Sequence, residues 1–314
     1  VRSGRRIWPP VDHFLGRWSP WRCFILLCGE KLCILGAIMR LFLVTSLTMV
    51  AFAANSILNR FALADHLIGP AGFGVLRLLS GAVMLALLVA IGERKPVALT
   101  EVSPFSVLGL SAYVLGFAYA YITLPAGIGA LILFGVVQVT MFAGALILGE
   151  RPGRFRWIGA GVAFAGLIYL LAPSVAAPDP LGAALMALAG VGWGYYSIYG
   201  RTVTRPLHAT AANFLFATPV AALVWAIFPD PVVPGVPGAG LAILSGAVTS
   251  GLGYALWYSV LPKLDTSLAA IAQVTVPVIA AVGGILFLSE AMTLNFAISS
   301  VLVLGGIALS IRRG

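Results

Sequence analysis

Residues 126–148, AGIGALILFGVVQVTMFAGALIL, followed at 149–153 by GERPG, set the terms for the whole chain. The stretch carries no charge and a single amide, Gln138, then stops at a glycine, an acid, a base and a proline. About 20 apolar residues rising 1.5 Å each cross roughly 30 Å of hydrocarbon. The breakers that follow end the helix, and the charges stay in water. The pattern recurs. Taking breakers and charges as span ends places ten apolar helices near 41–61, 70–92, 104–123, 126–148, 156–173, 181–200, 209–228, 237–260, 267–288 and 292–311. GERKP at 92–96 and PDP at 178–180 and 229–231 punctuate in the same way.

Composition agrees. Hydrophobic residues make up 61%, charged residues 9%, and the mean hydropathy is +1.04. Soluble domains carry about 25% charged residues, so this chain cannot coat a water-facing surface. The expected fold is an all-α polytopic membrane protein of ten transmembrane helices with short connections. Lys and Arg concentrate in cytoplasmic loops. With ten spans, Arg40, Arg94, Lys95, Arg151, Arg154, Arg156, Arg201, Arg205, Lys263, Arg312 and Arg313 share one side, and Arg60 alone takes the other. This predicts a bacterial cytoplasmic (inner) membrane protein with both termini of the ten-helix body inside. The net charge of +9 follows from that bias and needs no nucleic-acid partner. It also suits an anionic inner leaflet, so membrane lipids are expected partners.

Residues 1–38 differ in composition. They hold eight charges and all three cysteines, Cys23, Cys28 and Cys33. Met39 directly precedes the first span, and residue 1 is Val. The segment reads as a start-site artefact or a dispensable extension. Three thiols in a basic apolar stretch are weak grounds for a metal or redox site.

The rest repeats internally. An offset of 140 places Ala130 on Ala270, Val136 on Val276, Gly144 on Gly284, Glu150 on Glu290 and Gly166 on Gly306. An offset of 141 brings Ser56, Ile57 and Arg60 onto Ser197, Ile198 and Arg201. The halves are expected at 39–175 and 176–314. Five spans per half is odd, so the second half enters the membrane from the opposite face. Inverted repeats recur in secondary transporters. Glu150 and Glu290 then mark opposite membrane faces.

Gly149-Glu150-Arg151-Pro152, with Trp157-Ile158-Gly159-Ala160-Gly161 and Gly166, resembles the helix four to five junction of the EamA-like family, part of the drug/metabolite transporter superfamily. Ser289-Glu290-Ala291-Met292-Thr293 with Gly305-Gly306 resembles a second copy. Arg77, Tyr119-Ala120-Tyr121 and Pro125-Ala126-Gly127 are similar to that family as well. In the first helix Ala53-Ala54 stands where a Trp-Gly pair is common; the second half keeps it at Trp193-Gly194. The resemblance covers residues 41–311. It implies ten helices, two inverted repeats, a central cavity, and export of amino acids, metabolites or drugs.

Polar groups inside spans tend to face the bundle interior. Asn55 and Asn59, four apart, share a helix face and either contact substrate or bond between helices. Arg77 is the only charge well inside a span, about 10 Å deep at 1.5 Å per residue from Pro70. It can snorkel to the interface or meet carbonyls, lipid phosphate or a substrate carboxylate. Tyr113, Phe117 and Tyr121, then Trp193 and Tyr196, then Tyr254, Trp257 and Tyr258 form aromatic groups at helical spacing. They line a cavity or belong to interfacial belts; Tyr258, near a span end, reads as a belt residue. Gln138 and Gln273 are mid-span amides. Pro277 removes a helix hydrogen bond four residues after Gln273, making it a candidate hinge with Glu150 and Glu290 as gating carboxylates. Gly127, Gly129, Gly159, Gly161, Gly190, Gly192 and Gly194 read as close-packing positions.

No nucleotide loop is present: Gly190-Val-Gly-Trp-Gly lacks the Lys-Ser/Thr of a phosphate cradle. His13, His66 and His208 all lie outside mid-span positions, so no catalytic residues, metal site or cofactor are expected. The reading is a secondary transporter, in the export direction, for small organic solutes, working by alternating access between inverted repeats. The alternative is a flippase for lipid or lipid-linked precursors. No mid-span acid carries a proton, which leaves facilitated transport, exchange, or coupling through Glu150 and Glu290.

Overall fold

A computed structural model gives the architecture. It describes residues 20–94, 96–172, 177–200, 203–264 and 266–311. Among these the chain is helical: α1 (Pro20–Ala64), α2 (Pro70–Glu93), α3 (Pro104–Ala120), α4 (Ala126–Ile147), α5 (Arg154–Leu171), α6 (Pro180–Gly200), α7 (Pro206–Ile227), α8 (Val236–Lys263), α9 (Thr266–Leu288) and α10 (Leu294–Ser310). The chain divides into two compact units, 1–44 and 45–314, and all that follows concerns the second. Residues 1–19 of the expected extension lie outside the described residues, as do Lys95, Arg201, Arg312 and Arg313, and the side chains of 20–37, the three cysteines among them, are not described.

Ten helices match the ten expected spans in number and place. Seven are long and apolar enough to cross a membrane; α3, the described apolar stretch Ala272–Leu288 of α9, and α10 are shorter apolar helices. The third span therefore stops three residues short of the expected 123, because Tyr121–Thr123 turns away to reach Pro125. The eighth span differs more. Its middle, Ser245–Leu252, is π-helical, a widening that apolar periodicity does not reveal.

Local chemistry sets the helix starts. Pro occupies the first positions of α2, α3 and α7, where the missing N–H costs nothing. Ser103 caps α3 in a reciprocal box with Ser106, Asp179 accepts from Gly182 N at 2.7 Å in α6, and Thr293 caps α10. Gly69 and Pro125, which precede α2 and α4, make no side-chain cap. Carboxylates distant in sequence take over. Asp230 accepts from Ala71 N at 3.2 Å and Gly72 N at 2.7 Å. Glu290 accepts from Ala126 N at 2.9 Å through both oxygens. Negative charge at these positive helix ends is favourable, and each contact closes a long loop of the fold.

Packing pairs α2 with α7, α4 with α9 and α5 with α10, while α6 lies against α3 and α4. Small residues allow this. A Cβ on Gly159 would strike the Gly306 carbonyl of α10, and one on Gly306 would meet the Gly159 carbonyl at 2.6 Å. The α5–α10 crossing is thus backbone against backbone. Gly161, expected to share that role, has open space beside it; it sits on the other face of α5.

Candidate substrate cavity

Helices α1, α3, α4, α6, α7, α8, α9 and α10 contribute to the wall of a cavity of about 570 Å³. Small-molecule sites fall between about 300 and 1,000 Å³. Of the residues expected to bind substrate, Asn55, Tyr113, Gln138, Trp193, Tyr196, Tyr254, Trp257 and Gln273 line it. Phe52, Phe117 and Phe134 add to the wall.

Trp193 is the centre of the aromatic wall. Tyr196 and Tyr254 lie at 5.6 and 5.4 Å, each inclined by 27°, and Tyr113 stands at 4.9 Å. Such offset rings are mutually favourable. Tyr258 corrects the belt expectation. It lines the cavity and accepts a hydrogen bond from Thr210 Oγ1 at 3.2 Å, because α8 turns its aromatic face inward toward α7.

Asn59, Arg77 and Tyr121 do not reach the cavity wall. Tyr121 is wholly buried and donates its hydroxyl hydrogen to the Ala126 carbonyl at 3.2 Å. Asn59 donates to the Asn55 carbonyl at 2.8 Å and faces Ser245 Oγ at 3.5 Å. Arg77 is 0% exposed, so it does not snorkel. Its Nε donates to Ser250 Oγ at 3.2 Å and its Nη2 to Tyr113 Oη at 3.0 Å. The guanidinium lies 5.2 Å from the Tyr113 ring centre and 5.1 Å from that of Phe117. Its Nη1 has no partner. Arg77 is therefore a desolvated cation held by neutral groups, one ring's thickness behind the cavity wall.

The π-helical turn completes this hub. Ser245 donates to Asn55 Oδ1 at 2.7 Å, and Thr249 donates to the same oxygen. Both hydroxyls escaped the sequence reading, since Ser and Thr are common inside membrane helices and carry no charge to single them out. π-Bulges gather at functional sites. Here the bulge turns Ser245, Thr249 and Ser250 toward α1 and α2.

Beyond one end of the cavity lies a set of polar contacts outside its lining. Arg60 donates to the Tyr121 and Ile122 carbonyls at 3.2 and 2.9 Å and pairs with Glu290 at 3.5 Å. With the Glu290 cap on α4, this latch joins α1, α3, α4 and the α9–α10 turn. Burial holds the Glu290 carboxyl above its ordinary range, against the opposing pull of the Ala126 N–H and Arg60. At the other end the wall reaches Gly200, Pro206, Leu261 and Leu264, beside Arg205 and Lys263. There Glu150 is exposed and pairs with Arg156 at 3.2 Å on the surface. The two expected gating carboxylates thus stand in different states. Pro277 lies within α9, four residues beyond Gln273. His208, in the first turn of α7, accepts from Ala98 N at 2.9 Å through Nδ1 and meets Glu93 at 2.9 Å, a contact between helix ends.

The model of the EamA-like transporter family matches twice, at residues 39–172 and 180–312. The chain belongs to the EamA-like transporter family. An uncharacterized protein of Pseudomonas aeruginosa is 44% identical over 270 residues, covering 86% of this chain and 94% of that protein. A probable terminal-alkyne amino-acid exporter of Streptantibioticus cattleyicolor is 25% identical over 281 residues, covering 85% and 92%. A protein crystal structure shares the fold with a TM-score of 0.61 and 19% identity, covering 86% of this chain and 97% of that one. This EamA-like chain is an integral membrane protein of a small-solute transporter family.

Proposed function

We propose that the protein is a secondary transporter that exports small organic solutes from the cytoplasm through the aromatic cavity. The observation that carries the reading is a cavity whose wall runs to Gly200, Pro206, Leu261 and Leu264 at the Arg205–Lys263 end, while the Arg60–Glu290 latch lies outside its lining. By the distribution of loop cations the Arg205–Lys263 end is the cytoplasmic side of an inner membrane. An exporter must load from there.

Alternating access between two inverted five-helix repeats, 39–175 and 176–314, supplies the mechanism. Three features support it: the offset of about 140 in sequence, the two family matches, and the pairing of α2, α4 and α5 each with the helix five places on. A twofold relation between halves brings such counterparts together at its axis. The latch supports it too. Glu290 is engaged at the start of α4, and its counterpart Glu150 is released toward water. In the exchanged state Glu150 would take the start of α9, and Glu290 would let go. Arg77, buried away from lipid, favours the solute reading over headgroup flipping.

Transport into proteoliposomes tests this. Labelled small solutes, including neutral and aromatic amino acids, are expected to show saturable uptake that Trp193→Ala and Gln273→Ala each reduce by about two- to tenfold, the scale of losing one stacking or hydrogen-bonding contact. Uptake equal to that of empty vesicles across the panel would reject the reading.

A further inference from the structure

The charge and hydrogen-bond polarity of the cavity's deep end narrow the substrate class, an inference that rests on the cavity being the substrate site. Asn55 Oδ1 is taken by two hydroxyls, Ser245 and Thr249. The Nδ2 donates one hydrogen to Ser250 Oγ at 3.5 Å, and an amide nitrogen carries a second. Tyr113 Oη accepts from Arg77 Nη2 at 3.0 Å, so its own hydrogen is turned away from the guanidinium. Both side chains line the cavity. The networks behind them therefore make each a donor toward its interior.

Arg77 adds the field. It is 0% exposed, and among the described residues it binds hydroxyls and ring faces and its Nη1 has no partner. No Asp or Glu among the described residues lines the cavity. A buried cation with no counter-ion acts over several ångströms at low effective dielectric. The same environment penalises any second cation brought beside it. Beside these donors, with Tyr113 itself 4.9 Å from Trp193, the aromatic wall suits a flat aromatic body.

We propose that the cavity selects small aromatic monocarboxylates as anions. The carboxylate accepts from Tyr113 O–H and Asn55 N–H₂, with the Arg77 charge behind them, and the ring lies against Trp193 and Tyr254. A zwitterion carries an ammonium that finds no carboxylate here, and an organic cation is disfavoured further. Arg77 is a positioning residue that works through Tyr113 and through its field.

The test is equilibrium dialysis of the purified full chain in detergent against four labelled probes of one shape: 3-phenylpropanoate, 3-phenylpropanamide, phenylalanine and 2-phenylethylamine. The acid is expected to bind tightest, phenylalanine about tenfold weaker, and the amine weakest. Arg77→Gln is expected to cut the acid-over-amide preference about tenfold while amide binding persists. Tyr113→Phe, which keeps Arg77, is expected to lower the same ratio and decides the matter should Arg77→Gln not fold. Tighter binding of phenylalanine or the amine than of the acid would overturn the charge assignment and leave the cavity standing as a site. An acid-over-amide ratio unchanged in Tyr113→Phe would also overturn it. Binding of none of the four would reject the cavity and the inference together.

Discussion

Glu290 sits in an environment that asks opposite things of it. The α4 N-terminus and Arg60 favour the carboxylate, but burial outweighs them and raises its pKa above 4.5. Arg60 and Asp65 are the charged groups beside it in a small cavity at that end. A group whose folded pKa is raised holds its proton more tightly folded than unfolded. Its stabilising contribution is complete below the unfolded value and is lost as pH rises through the folded value. Thermal stability in detergent is thus expected to fall as pH rises from the ordinary carboxylate range through the raised value, in a step that Glu290→Gln removes. A step persisting in the variant would assign it to another group. At this scale the sequence was informative only for groups that are costly in a membrane. Asn55, Gln138 and Gln273 stood out because an amide at mid-span needs a reason, and the Trp193-Gly194 pair stood out through the family resemblance. Arg77 stood out too, but its surroundings could not be read. Which hydroxyls it meets depends on where Ser250 and Tyr113 arrive from other helices.

The α2–α8 contact shows what helix packing adds. A Cβ on Gly246 would collide with Ser80 and with the Arg77 carbonyl. One on Gly240, in the same helix, meets nothing within 4 Å. Overpacking a close contact costs about 1–3 kcal/mol. Gly246→Val is expected to lower Tm by that equivalent, and Gly240→Val by no more than the modest cost of a β-branched residue at an exposed helical site, about 0.5 kcal/mol or less. Equal effects would show that α2 and α8 are not held by backbone approach at Gly246. Glycine content was legible in the sequence, but the partner of each glycine was not. Gly159 is essential to a crossing and Gly161 is not, because two residues of helix turn by about 200° and face opposite sides. The π-helical turn was likewise hidden. Its extra residue per turn is stabilised by contacts with Asn55 and α2 rather than by any local propensity of Ser245–Leu252.

For the molecule as a whole, the exchange of latches predicts one-sided access. In a variant with Cys23, Cys28 and Cys33 replaced by Ser, Ser197→Cys on the cavity wall is expected to react with an impermeant maleimide in inside-out vesicles. In right-side-out vesicles it is expected to stay unreactive. The opposite pattern would invert the proposed topology. Sequence alone determined that the chain lives in a bilayer, that it has ten helices, and which spans carry unusual polar groups. These follow from transfer free energies and from the breakers that end helices, which are local properties of each segment. Only the tertiary structure decided which residues line the cavity, that Glu290 is engaged while Glu150 is released, and that Arg77 is hidden behind Tyr113. Those depend on contacts between residues more than a hundred positions apart, and every apolar helix presents much the same surface to a reader who cannot see its neighbours.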